Sequence, residues 1–141
     1  MTIKVKFAVE IDRPIEQVFA LATDLSNLPR WSNVREVRRI SNPTLQVGTT
    51  FQLVSHLGGE DRLVDCKVIT LTAPRRFVYS SDGAAKSEIA FELKPIGTRT
   101  HLTYAVTIAL SALFEPLVKG EVDKQAKQDL SRLVNLLTSA P

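Results

Sequence analysis

Residues 114–139 read FEPLVKGEVDKQAKQDLSRLVNLLTS. Phe114, Val118, Val122, Ala126, Leu133 and Leu137 share one face of a helix, with Leu130 on its flank. Lys124, Lys127, Gln128 and Ser131 lie opposite. Pro116 stands where a first helical turn accepts it. At 1.5 Å per residue such a helix is roughly 39 Å long. An amphipathic helix of this length needs a broad apolar surface to cover, and the rest of the chain must supply it.

Upstream the hydrophobic period is two. Ile3, Val5, Phe7, Val9 and Ile11 alternate with Lys4, Lys6, Ala8, Glu10 and Asp12, which predicts a strand with one buried face. The period then changes. Ile15, Val18, Phe19 and Ala22 fall at helical spacing, with Asp12 expected as N-cap and Pro14 in the first turn. The run from Asp24 to Pro29 ends this helix, and a second short helix or turn carries the chain to Trp31. Strands are expected over residues 34–40, 49–57, 62–71, 77–81, 87–94 and 100–110. They are punctuated by Ser41-Asn42-Pro43, Gly58-Gly59, Ala73-Pro74, Asp82-Gly83 and Pro95-Ile96-Gly97. Links this short favour antiparallel neighbours. The order predicts an α+β architecture: a curved antiparallel sheet of about seven strands around a long C-terminal helix, with two short helices after the first strand. No repeat or linker interrupts it, so residues 1–141 read as a single domain.

Composition narrows the function classes. A chain of 141 residues, 44% hydrophobic and 23% charged, can bury one core. No run approaches the roughly 18 apolar residues of a membrane-spanning helix, so no membrane span is expected. The alternating N-terminus lacks the unbroken apolar run of a signal peptide, so a cytoplasmic location is expected. Cys66 is the one cysteine and excludes an internal disulfide. His56, His101 and Cys66 form no metal-ligand spacing, and neither a metal nor a cofactor is expected. The net charge is only +3. The clusters Arg35, Arg38, Arg39 and Arg75-Arg76 come without interleaved aromatics or a recognition-helix pair, so no nucleic-acid partner is expected.

Several segments resemble one superfamily. These are VEIDRPIEQVFALATD at residues 9–24 followed by Pro29-Arg30-Trp31, then Gly48-Thr49-Thr50-Phe51, VITLTAPRRF at 68–77 and TRTHLTY at 98–104. Together, in this order, they resemble the SRPBCC or START-like superfamily, most nearly the bacterial polyketide cyclase/dehydrase-like proteins. The likeness spans nearly the whole chain. It implies the helix-grip (START-like) fold, with a cavity between the concave face of the sheet and the C-terminal helix. It does not imply one activity, because that superfamily hosts carriers, enzymes, receptors and chaperone cofactors.

Alternation turns Phe51, Leu53, Ser55, Val64, Cys66, Val68, Phe77, Tyr79, Ile89, Phe91, Leu102, Tyr104, Val106 and Ile108 toward that cavity. The candidate ligand-binding set is Phe51, Leu53, Cys66, Tyr79, Phe91 and Tyr104 from the strands, Trp31 from the short helices, and Val122, Ala126 and Asp129 from the long helix. Asp129 is the least expected of them. It lies about 20° from Val118 and Val122 and about 40° from Leu133 around the helix, inside the apolar stripe. A carboxylate there needs a partner or a raised pKa. Either it lines the cavity and anchors a ligand hydroxyl or amine, or helix curvature moves it to the rim, where Arg132, Gln125 or water satisfies it. The Tyr79 and Tyr104 hydroxyls meet a ligand oxygen, the backbone or water. Trp31 is expected to pack the short helices on the sheet rather than cap the cavity. Cys66 reads as a buried inert thiol, and Ser55, Ser81 and Ser87 have no activating base.

The leading expectation is binding or carriage of a small hydrophobic molecule, such as a lipid, polyketide, isoprenoid or aromatic metabolite. One alternative is a polyketide aromatase/cyclase or dehydratase using Asp129, Tyr79, Tyr104 and Arg62. Another is a protein-interaction module, for which the basic clusters speak. The small outward residues Thr103, Ala105, Thr107 and Ala109 leave both monomer and homodimer open.

Overall fold

The computed structural model describes residues 2–57, 59–83, 86–109 and 115–138. The chain opens with β1 (Thr2–Ile11), α1 (Ile15–Thr23), a 3-10 turn (Leu25–Asn27) and α2 (Leu28–Trp31). Then come β2 (Val34–Arg38), β3 (Thr50–Leu57), β4 (Glu60–Thr72), β5 (Arg76–Asp82), β6 (Lys86–Ile96) and β7 (Arg99–Ala109). The helix α3 (Glu115–Thr138) follows. All pairings are antiparallel, in the order β1-β7-β6-β5-β4-β3-β2, so the first strand returns to lie beside the last. This is the expected curved seven-stranded sheet with two short helices after its first strand. Leu110, Phe114, Ser139 and the turn residue Gly58 lie outside the described residues, as does the side chain of Val118.

Bends in the sheet have local causes. The register shifts between Val68 and Thr70 in β4 and between Val34 and Glu36 in β2, and such bulges add a residue and curl the strand. In β4 the extra residue, Ile69, is left 44% exposed, while Val68 and Leu71 face Tyr79 and Phe77.

Three of the boundaries that differ from expectation have a local cause. Asp12 does not cap α1. Ile11 is still paired to Thr100, so the chain needs Asp12 and Arg13 to turn, and Pro14 in extended geometry becomes the N-cap without a side-chain bond. β2 stops at Arg38 because Arg39 takes a left-handed φ of 52°, which breaks the ladder. β6 instead runs on through Pro95 to Ile96. The Leu93 N–H bonds toward the β5 side, to Arg75 O at 2.8 Å. Two residues on, the donor that Pro95 lacks would face the side from which β5 has already departed.

α3 lies along β1 and against α1 and α2. Val122, Ala126, Leu130 and Leu133 are buried, while Lys124, Lys127, Gln128 and Ser131 face solvent. Lys127 also caps this seam, its ammonium 5.4 Å from the centre of the Phe7 ring. Three of the five clustered arginines are paired at the surface: Arg35 with Asp61, Arg38 with Glu36 and Arg76 with Glu92. Among the described residues no helix is long and apolar enough to cross a membrane.

Candidate ligand cavity

Each central strand presents an inward column that changes character along its length. At one end stand Phe51, Val68, Phe77, Phe91, Leu93 and Leu102, all nearly inaccessible. At the other stand Ser55, Arg62, Ser81 and Ser87, with Ser55 opposite Arg62 and Ser81 opposite Ser87. The first end fills itself. Phe91 stacks on Phe77 at 5.9 Å, lies edge-on to Trp31 at 5.9 Å and meets Tyr104 at 5.0 Å, while Tyr79 touches Phe77 and Phe51. The second end, with smaller side chains, leaves room.

That room is a cavity of about 480 Å³ between the sheet and α3, within the roughly 300–1,000 Å³ of small-molecule sites. Its wall is mainly apolar: Leu28, Trp31, Val34, Leu53, Val64, Ile89, Val106, Ile108, Val122 and Ala126. Gly83 closes over Val64 so tightly that an added Cβ would meet Val64 Cγ1 at 2.6 Å.

The polar groups of the wall are few, and several are deep. Asp129 is 3% exposed and lines the cavity, so it is not at a rim. Gln125, one turn earlier, donates its Nε2–H to Asp129 Oδ1 at 2.8 Å. Burial pushes the Asp129 carboxyl up to about 6, against the smaller opposing effects of the Gln125 hydrogen bond, the Arg132 charge and the Asn33 backbone N–H. Burial raises the phenols of Tyr79 and Tyr104 as well, reinforced by the charge of Asp129, so both remain protonated donors. The indole Nε1–H of Trp31 is the one buried side-chain nitrogen or oxygen without a hydrogen-bond partner among the described residues.

Of the sequence-predicted set, Trp31, Leu53, Tyr79, Tyr104, Val122, Ala126 and Asp129 come together around the cavity. Phe51, Phe91 and Cys66 do not line it. They face inward but belong to the filled end, where the two phenylalanines pack within the aromatic cluster and Cys66 lies opposite Phe51 and Ser81. Burial pushes the Cys66 thiol up to about 12, which suits an inert core residue. Leu28, Asn33, Gly83 and Glu121 line the cavity without having been singled out. Glu121 could have been found at one helical turn from Gln125, whereas the Asn33 main chain and Gly83 carry no sequence signal for this role. Among the described residues no group of three His, Cys, Asp or Glu could hold a metal ion.

A curved antiparallel sheet gripping a C-terminal helix over an internal cavity defines a helix-grip domain of the START type. The chain belongs to the polyketide cyclase / dehydrase and lipid transport family, whose sequence profile matches residues 2–138. Solved structures share the fold over nearly their whole lengths. A START superfamily protein from Mycobacterium smegmatis superposes with a TM-score of 0.83 at 16% identity, covering 96% of this chain and 97% of its own. The Zhui aromatase/cyclase from Streptomyces sp. R1128 gives 0.81 at 13% identity, covering 97% and 94%. A protein from Thermus thermophilus gives 0.78 at 20% identity, covering 97% and 98%. At these identities the likeness is one of fold. No curated protein matches the chain in sequence.

Proposed function

We propose that this protein binds and carries a small, mostly apolar molecule in the cavity, with Asp129, Tyr79 and Tyr104 meeting its polar atoms. The observation that carries the reading is the wall itself: a large apolar space with a few convergent polar groups, one of them a buried carboxyl. The buried free thiol of Cys66 suits a reducing compartment, so the proposal places the protein in the cytoplasm as one domain. Native mass spectrometry of gently purified protein tests it. Extra mass that vanishes on denaturation is expected, and an Ala126→Trp variant, which fills the cavity from α3, should carry none. No extra mass, together with no thermal shift across lipids, quinones and aromatic ketones, would count against the carrier.

One observation favours a second reading, an aromatase/cyclase or dehydratase. A carboxyl titrating near 6 beside two protonated phenols has the elements for enolising a bound ketone: a base near neutral pH and donors for the developing oxyanion. Exchange of the α-protons of a bound β-diketone, followed by NMR and lost in Asp129→Asn, would support it. Exchange at the buffer rate would dismiss it.

A further inference from the structure

We infer that the preferred ligand is an organic cation, an amine whose ammonium pairs with Asp129 while its apolar body fills the cavity. This rests on the ligand-binding reading above and adds the charge of the ligand.

Three charged residues line the cavity: Arg62, Glu121 and Asp129. Arg62 and Glu121 are solvent-exposed, and Arg62 is engaged by Glu60 at 3.2 Å. Asp129 alone is buried. Its direct donors are neutral: the Gln125 amide at 2.8 Å and the Asn33 backbone N–H. Arg132, exposed one turn along α3, acts on it through its field. The ionised carboxyl thus faces an apolar space with hydrogen bonds but no buried counter-ion. A neutral ligand hydroxyl would add one more hydrogen bond and leave the charge unbalanced. An ammonium would supply the charge and up to three N–H donors, and charge-assisted bonds of this kind are about twice as strong as neutral ones.

The remaining wall fits the same ligand. Trp31, Tyr79 and Tyr104 line the cavity with Asp129, and the charge of Asp129 is felt at both phenols. Aromatic faces next to a carboxylate attract an ammonium through the ring quadrupole. The groups facing Asp129 are Gln125 and Arg132 on α3, the Asn33 N–H after α2, Tyr79 on β5 and Tyr104 on β7. Arg62 on β4 and Glu121 on α3 stand farther out. Since both phenols stay protonated, ionisation of Asp129 is the change that controls amine binding between pH 5 and pH 8.

Calorimetric titration of 4-phenylbutylamine and its neutral isostere 4-phenylbutanol into refolded, ligand-free protein tests the inference. At pH 8 the amine should bind at least tenfold more tightly than the alcohol. At pH 5, where the amine keeps its charge and most of the Asp129 carboxyl holds a proton, that preference should fall about tenfold while alcohol affinity stays constant. Asp129→Asn should bind both probes alike. The wild-type pH series stands on its own should that variant fold poorly. An amine no tighter than the alcohol at pH 8, or a preference that is the same at pH 5 as at pH 8, overturns the cation inference. Alcohol binding that Ala126→Trp abolishes would meanwhile leave the cavity reading intact. Binding of neither probe sinks the cation inference and counts against the cavity reading too.

Discussion

Replacing Asp129 by Asn should make the apoprotein more stable at neutral pH and slightly less stable in acid. The ordinary value of the carboxyl is 3.8, and in the folded protein burial raises it to about 6. At ~1.4 kcal/mol per tenfold change in proton affinity, that difference is worth about 3 kcal/mol. The sign follows from the direction. The folded state holds the proton more tightly than the unfolded chain, so the penalty is absent below 3.8, grows between 3.8 and about 6, and is constant above. Asn carries no charge and escapes it. It still accepts the Gln125 bond but offers one oxygen fewer, a loss of about 1 kcal/mol at every pH. At pH 4 about 0.5 kcal/mol of the penalty is already present, so the variant should lie about 0.5 kcal/mol below wild type there and about 2 kcal/mol above it at pH 7.5. Urea unfolding of ligand-free protein at fixed pH, with unchanged slope, reads this directly. A wild-type-minus-variant difference that stays flat from pH 4 to pH 7.5 would mean that Asp129 is hydrated like a surface carboxyl, and the account of the cavity wall would fall with it.

The two halves of the interior should respond differently to truncation. Leu133→Ala, at a fully buried position, should cost about 2–5 kcal/mol in urea unfolding. Val122→Ala, at the cavity wall, should cost less than about 1.5 kcal/mol because it enlarges a space already present. Equal losses would argue that no cavity lies beneath Val122. With its thiol at about 12, Cys66 is roughly one part in ten thousand thiolate at pH 8, so a chromogenic disulfide should label it only after unfolding. Stoichiometric labelling of the native protein within seconds would contradict its placement.

Much of this architecture is legible in the sequence because period and punctuation are clean. The alternation of Ile3 to Ile11, the helical spacing of Ile15 to Ala22 and the stripe on α3 each have one physical reading. The inward columns follow from period two and hold even in β4, where Asp65 and Lys67 demand water and leave Cys66 inward. Local rules failed where tertiary pairing decided the outcome, as at Pro95 and at Asp12. The site was legible in kind but not in depth. Alternation says that Phe51, Leu53 and Ser55 point the same way, but not that Phe51 is consumed by contact with Tyr79 while Leu53 and Ser55 face open space. That distinction depends on where α3 and Trp31 come to rest, which no single strand encodes. Asp129 is the instructive case: its helical phase places it in the apolar stripe, but only the assembled wall shows Gln125 and Asn33 holding it there.

The contrast between the two ends explains why a cavity persists at all. A void of 480 Å³ left dry and unrelaxed would cost about 11 kcal/mol at ~24 cal/mol per Å³, as much as the whole stability of a typical domain. Such a space survives only if the rest of the fold is rigid enough not to collapse and if solvent or a ligand occupies it. The aromatic cluster supplies the rigidity. Trp31, Phe51, Phe77 and Phe91 anchor α2 and the middle strands to one another, and Leu130 and Leu133 seat α3 at a fixed distance from the sheet. With α3 held there, Ala126 is too short, and Ser55, Ser81 and Ser87 are too small, to fill the other end. Placing a carboxylate among them works against stability by the amount worked out above. A ligand that neutralised that charge would recover this stability along with the transfer of its own apolar surface from water. The geometry that weakens the empty protein is therefore the geometry that would favour the occupied one.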